Sequence, residues 1–296
     1  MSEHTMDRLL LGDNQFFGIN HMSEARARAQ AIQFQDTSAI IDVLDIALDH
    51  GVRTFMCTTH ERVADVCDHL RANPERYADY RLYPCMPYAH KYANAVTEHG
   101  MLGALRRSLG SESLLGAALK GGRSVATKDI EGIMTMLIDA EMAMFDGLAT
   151  PVVFLQNVLT DLLLGLGFDE AFSVFAAHVR RRYHAEPAFI TMNLPMLLDT
   201  LERVGVENPI VCANINKIGF RMSGGIEGYE RALAQRTFRP VAMSAFASGA
   251  LPPAEALGWL ADHAQVTSIV FGASSVNSIR STTTLAAQLW PGDPAP

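Results

Sequence analysis

The sequence predicts a closed (β/α)8 barrel, and three observations carry that expectation. Eight short apolar runs end in small or polar residues, each run is followed by an amphipathic segment of helix length, and no GxGxxG follows the first run. The first two are the βα rhythm of a parallel sheet, and eight repeats favour closure. The third argues against an open dinucleotide-binding sheet, which places that glycine pattern after its first strand.

The expected strands lie in Leu9–Gly18, Arg53–Thr59, Arg81–Tyr88, Pro151–Asn157, Ala188–Asn193, Pro209–Asn216, Arg239–Phe246 and Thr267–Ser274. Between them, DTSAIIDVLDIALDHG reads as a helix that Asp36 or Thr37 caps and Gly51 stops. PPAEALGWLADHA reads as another, with proline in the tolerated first turn. About 60 residues separate the third and fourth runs, more than an ordinary connection needs. The expected organisation is a single barrel over 1–290, with 91–147 as a helical insertion or lid on the catalytic face and 291–296 as a disordered tail.

Composition narrows the function classes. The 296 residues carry a formal net charge of -8, so the basic footprint of a nucleic-acid binder is missing. No apolar run is long enough for a membrane helix, and MSEHTMDRLL lacks a signal peptide's apolar core, so a cytoplasmic protein without a membrane partner is expected. Cys57, Cys67, Cys85 and Cys212 are far apart and lie in or beside apolar runs, which suits reduced structural thiols.

Barrels of this kind do their chemistry at the C-terminal ends of the strands. Those ends are rich in amides and histidines: Asn14, Gln15 and His21 after the first; Thr58, Thr59, His60 and Glu61 after the second; Tyr88, His90 and Lys91 after the third. Gln156, Asn157, Asn193, Asn214, Asn216 and Lys217 follow the fourth to sixth. Asn14, Gln15, Tyr88, Gln156, Asn157, Asn193 and Asn214 are the expected substrate-binding residues, because amides and hydroxyls orient polar metabolites.

His21, His60 and His90 follow three consecutive strands and could hold a divalent metal with an open position, Glu61 serving as a fourth ligand or base. The alternative is a set of hydrogen-bonded imidazoles lining a polar pocket. His60, His90 and Lys217 are the candidate catalytic residues, the histidines moving protons. Lys217 would form an imine or steady an oxyanion, or else neutralise an acidic substrate or pair with a carboxylate. Gly272, Ser274 and Ser275 join the last strand to a helix and could hold a phosphate or carboxylate, the alternative being ordinary capping.

In their order, LLLGDNQFFG, TMN, CANINKIGFR, MSAFASGALPP and FGASSVNSI resemble segments of the aldo-keto reductase superfamily over most of the chain outside the long third connection. The resemblance implies a barrel that reduces carbonyls with NADPH through an Asp-Tyr-Lys-His tetrad. Its Asp position falls on Phe55, Met56 or Cys57, its Tyr near Thr59 or His60, its Lys in CMPYAH and its His on Gln156 or Asn157. The nicotinamide-stacking aromatic corresponds to Met243, the carboxamide-binding Ser to Met192, and the adenine contacts to Ser281 and Thr282, while Asn193 and the Ser274–Ser275 turn are kept.

The resemblance thus implies a member whose tetrad is gone. Three readings follow: a non-redox isomerase, lyase or hydrolase acting on a small carbonyl- or hydroxyl-bearing metabolite; a divergent NADPH-dependent reductase with His60 as proton donor; and a non-catalytic small-molecule-binding barrel. Neither NADPH nor a divalent metal is favoured as cofactor.

Overall fold

A computed structural model describes residues 4–19, 23–87 and 123–291. Eight parallel strands close on themselves in sequence order. They are β1 (Leu9–Gly12), β2 (Thr54–Thr58), β3 (Arg81–Met86), β4 (Val152–Leu155), β5 (Glu186–Thr191), β6 (Ile210–Asn214), β7 (Arg239–Met243) and β8 (Ser268–Phe271). Closure is made by Leu9, Leu10 and Leu11 in register with Ile269, Val270 and Phe271.

Ten helices are described: α1 (Glu24–Gln33), α2 (Thr37–Asp49), α3 (Glu61–Ala72), α4 (Arg123–Met142), α5 (Asn157–Leu166), α6 (Glu170–His178), α7 (Leu194–Arg203), α8 (Ile226–Gln235), α9 (Pro253–Ala261) and α10 (Val276–Leu289). In α2, Ile40, Val43, Leu44 and Ala47 are buried at helical spacing. Gly51 then turns the chain with φ 85°, a conformation that suits a residue without Cβ. Among the described residues no helix is long and apolar enough to cross a membrane.

Strand alternation divides the side chains between two cores. Leu9, Leu11, Phe55, Cys57, Val153, Leu155, Phe189, Val211 and Ile269 face the helices, and Phe172 and Phe175 of α6 pack against Phe189 at 5.9 and 5.6 Å between ring centroids. Leu10, Met56, Tyr83, Cys85, Val152, Phe154, Ala188, Ile190, Ile210, Cys212 and Val241 fill the barrel instead. Its interior is therefore a packed plug, as barrels of eight strands require.

Below the plug the same alternation brings in charge. Arg81 donates to Asp7 at 2.8 Å, Thr54 also donates to Asp7, and Arg239 pairs with Glu186. The backbone N–H of His4 donates to Glu186 at 2.5 Å, and its ring meets the Tyr83 hydroxyl at 2.9 Å. The segment before β1 thus seals the N-terminal end with ion pairs. Burial holds the His4 imidazole below its ordinary pKa, and the nearby Arg81 guanidinium adds to the effect.

The strands are shorter than the runs that predict them. In the first, β1 stops at Gly12 and Asn14–Phe17 form a 3-10 turn, because Asp13 and Asn14 favour turns over ladder pairing. All four cysteines are buried free thiols. His178 is buried, with Nε2 2.7 Å from Asp139 of α4. Within the expected insertion only the part from α4 onward is described; its residues 91–122 lie outside the described residues.

Candidate functional site

The inward register above the plug defines the mouth. Gly12, Thr58, Cys85, Asn214 and Met243 occupy it at the C-terminal strand ends, and Gln156, Met192 and Gly272 fall on the same parity just beyond β4, β5 and β8.

Asp13 follows β1 directly and is buried at the C-terminal end of the barrel. The backbone N–H and the hydroxyl of Thr58 both donate to Asp13 Oδ2, each at 2.7 Å. Thr58 is in register with Cys85, so this carboxyl lies over the inner face of β2 and β3. Burial pushes its pKa above the ordinary aspartate value, and the Thr58 hydrogen bonds oppose but do not cancel the shift. Sequence reasoning missed it, having taken Leu9–Gly18 as one strand and so placed Asp13 in its body. The available signal was the Gly12-Asp13-Asn14 cluster of turn formers.

Two other carboxylates also meet threonines at strand ends, but from the helix side. Glu141 of α4 accepts from Thr59, and Asp161 of α5 accepts from the Thr191 hydroxyl at 2.6 Å and the Met192 N–H at 3.0 Å. Thr59 and Thr191 lie on the outward parity of Cys57 and Phe189, so these bonds fasten helices to the barrel.

The anticipated substrate-binding residues divide. Gln15 is buried and donates to the Gly12 carbonyl at 2.7 Å, while Asn14 is exposed. Gly272 is close to it: a Cβ there would come within 2.8 Å of Gln15 Oε1. Gln156 and Asn157 open α5, Gln156 as its cap residue. Asn193 caps α7, its Oδ1 accepting from the Met196 N–H at 3.4 Å. Asn216 closes its own loop, donating to the Phe220 carbonyl and accepting from the Phe220 N–H.

Asn214 is different. Its Nδ2 donates to the Arg221 carbonyl at 2.9 Å, which fixes which way the amide points, and its buried Oδ1 has no hydrogen-bond partner.

The two anticipated catalytic groups that are described, His60 and Lys217, have structural partners. His60 is the N-cap of α3, with Nδ1 accepting from the Arg62 N–H at 3.1 Å and the ring stacked 4.2 Å from Phe17. An accepting Nδ1 carries no proton, so capping uses the Nε2–H tautomer. Lys217 Nζ lies 2.7 Å from Glu255, both side chains 44% exposed, which is the carboxylate pairing and lacks the desolvation that an imine-forming lysine requires. His21, Tyr88, His90 and Lys91 lie outside the described residues. Among those described, no group of three or more His, Cys, Asp or Glu side chains could hold a metal ion.

At the β8–α10 turn, Ser275 caps α10 by accepting from the Ser278 N–H at 3.3 Å, and the Ser274 carbonyl accepts from Gln33 at 3.3 Å. Ser275→Ala is expected to cost about 1 kcal/mol, the usual value of a serine cap, read as a lowered denaturation midpoint.

No protein-family model matches the sequence, and no curated protein matches it. Solved structures do match its fold. A chain from Pseudomonas aeruginosa assigned to the aldo-keto reductases superposes with TM-score 0.59 at 13% identity, over 95% of this chain and 90% of that one. An aldo-keto reductase from a Medee basin deep-sea metagenome library gives 0.55 at 8% identity, over 96% and 86%. Aldose reductase of Giardia lamblia gives 0.54 at 11%, over 96% and 88%. The barrel of this chain has the fold of aldo-keto reductases, at an identity low enough that the residues of its mouth must be argued from their own chemistry.

Proposed function

We propose that the chain is an aldo-keto-reductase-like barrel enzyme that works on a small polar molecule bearing a carbonyl or hydroxyl group. The reaction takes place at the C-terminal mouth, by acid/base chemistry of the isomerase, lyase or hydrolase kind. The observation that carries this reading is the Asn214 carboxamide oxygen, buried and unpartnered on the inward register. Leaving a buried acceptor unpaired costs roughly 1–3 kcal/mol, and a hydroxyl or N–H of a bound molecule removes the cost.

A second reading, a divergent NADPH-dependent reductase, is favoured by the fold and by the Gly272–Ser275 turn leading into the N-terminus of α10. The residues that the resemblance assigns to nicotinamide do not fit it as that family holds it. Met192 and Met243 offer thioethers, and Asn193 spends its oxygen on capping. No step of the proposed chemistry is routed through the cofactor.

Calorimetric titration with NADPH and NADH separates the two readings, and thermal-shift screening of small hydroxy-aldehydes, hydroxy-ketones and hydroxy-acids identifies ligands. The proposed reading expects no saturable binding of either nucleotide. It also expects any hit to bind Asn214→Leu at least about tenfold more weakly, since the oriented acceptor is gone. Micromolar NADPH binding would sink the non-redox reading. Unchanged ligand affinity in Asn214→Leu would remove the observation on which the site is built.

A further inference from the structure

We propose that Asp13 is the catalytic residue that passes a proton to and from a substrate oxygen in the mouth. The inference rests on the reading of the mouth as an enzyme site. Three described carboxylates meet threonines at the C-terminal strand ends, and only Asp13 does so on the inner face of the barrel. Glu141 and Asp161 reach their threonines from the helix side of the sheet.

The arrangement around Asp13 suits proton delivery. Both Thr58 donors fall on Oδ2, so a proton carried on Oδ1 is not displaced by them. As solvent water takes the proton from the carbon beside a carbonyl, negative charge develops on the carbonyl oxygen, the Asp13 Oδ1–H bond breaks and an O–H bond forms on the substrate. The charge then resides on the Asp13 carboxylate, where the two Thr58 donors are already oriented to hold it. In reverse, the carboxylate takes a proton from a substrate hydroxyl. Atoms and charge balance without an oxidant or reductant, solvent water being the only further reactant.

The electrostatic surroundings agree with this role. Among the described residues, the titratable groups that act on Asp13 or are acted on by it are the thiols of Cys57 and Cys85, and burial drives both well above their usual range. They stay neutral wherever an aspartate titrates, so no opposite charge pins Asp13 in its ionised form. Burial is the largest influence on its carboxyl and favours the protonated acid. The threonine is a positioning residue: its hydroxyl and N–H set where the carboxyl lies and how readily it ionises.

The test follows proton exchange in deuterated water at the carbon beside the carbonyl, by NMR, over a panel of small hydroxy-ketones and hydroxy-aldehydes, each with and without NADPH. With any substrate the wild type turns over, Asp13→Asn is expected to lose about 100-fold or more in kcat with little change in KM. Its melting profile reports that it is folded. Thr58→Val deletes one donor to the carboxylate, and the ionisation seen in the wild-type pH profile should move to higher pH while turnover persists. A merely structural Asp13 would not produce that shift.

Asp13→Asn turnover within threefold of wild type, or an unmoved profile in Thr58→Val, overturns the assignment of Asp13 while leaving the enzyme reading intact. Absence of exchange or turnover with every member of the panel overturns the enzyme reading and this one with it.

Discussion

Phe154→Ala is expected to lower stability by about 3–5 kcal/mol and to bring the thermal midpoint down by roughly 10 °C. Phe154 is fully buried inside the barrel, with the Tyr83 ring at 6.2 Å. Its neighbours in the plug come from strands around the closed sheet, among them Ala188, Ile190 and Cys212. Such a wall cannot collapse into a void without breaking its own ladders, so the cavity term adds to the lost transfer free energy. Phe154→Leu, which keeps most of the volume, should cost less than half as much. Equal costs for the two substitutions, measured by denaturant unfolding with an unchanged m-value, would show that the plug is not the rigid unit described.

Glu186→Ala is the second large effect, at about 3–5 kcal/mol, because it leaves Arg239 at the sealed end without its carboxylate. The two side chains are 14% and 22% exposed, and one guanidinium nitrogen of Arg239 already lacks a partner. Removal also takes the acceptor of the His4 N–H, so the segment before β1 should exchange its amide protons faster. The cost belongs to the charge left behind more than to the pair itself. Replacing both residues with leucine and methionine should therefore recover most of the loss. A double variant as unstable as Glu186→Ala would contradict that assignment.

Asp13 adds a smaller effect with a definite sign. Its pKa is raised in the folded protein, so its contribution to stability is complete below the unfolded-state value of about 3.9 and is lost as pH rises through the folded-state value. Asparagine does not titrate, and its oxygen can still accept from Thr58. The melting temperature of Asp13→Asn relative to wild type should therefore climb as pH rises from acidic to neutral. A difference independent of pH would mean that folding leaves the pKa of this carboxyl unshifted. A gain in stability with a loss of function is the pattern expected where a buried acid is kept for its chemistry.

The barrel was legible because alternating apolar runs and helical spacing are local signals, and tertiary packing here agrees with them. Strand ends were less so: turn formers such as Asp13 and Asn14 extend an apolar run on paper and terminate it in space. Partnerships distant in sequence were not legible at all. Nothing local announces that Lys217 meets Glu255, that His178 turns inward to Asp139, or that the Thr58 hydroxyl reaches the carboxyl after β1. His60 was read as chemistry because a histidine at a barrel's mouth invites it, whereas its ring nitrogen caps α3. The amide-rich mouth was visible from composition, but the unpaired oxygen that distinguishes Asn214 from the capping Asn193 needed the fold.

The claim that the mouth holds a carboxyl poised to give up a proton is tested most directly by carbon-13 NMR titration of the Asp13 side chain in the intact protein, assigned through its disappearance in Asp13→Asn. Asp13 is predicted to titrate above the ordinary aspartate value of about 3.9, and higher still in Thr58→Val. A carboxyl already ionised at or below that value, unmoved by loss of the Thr58 hydroxyl, would contradict the account.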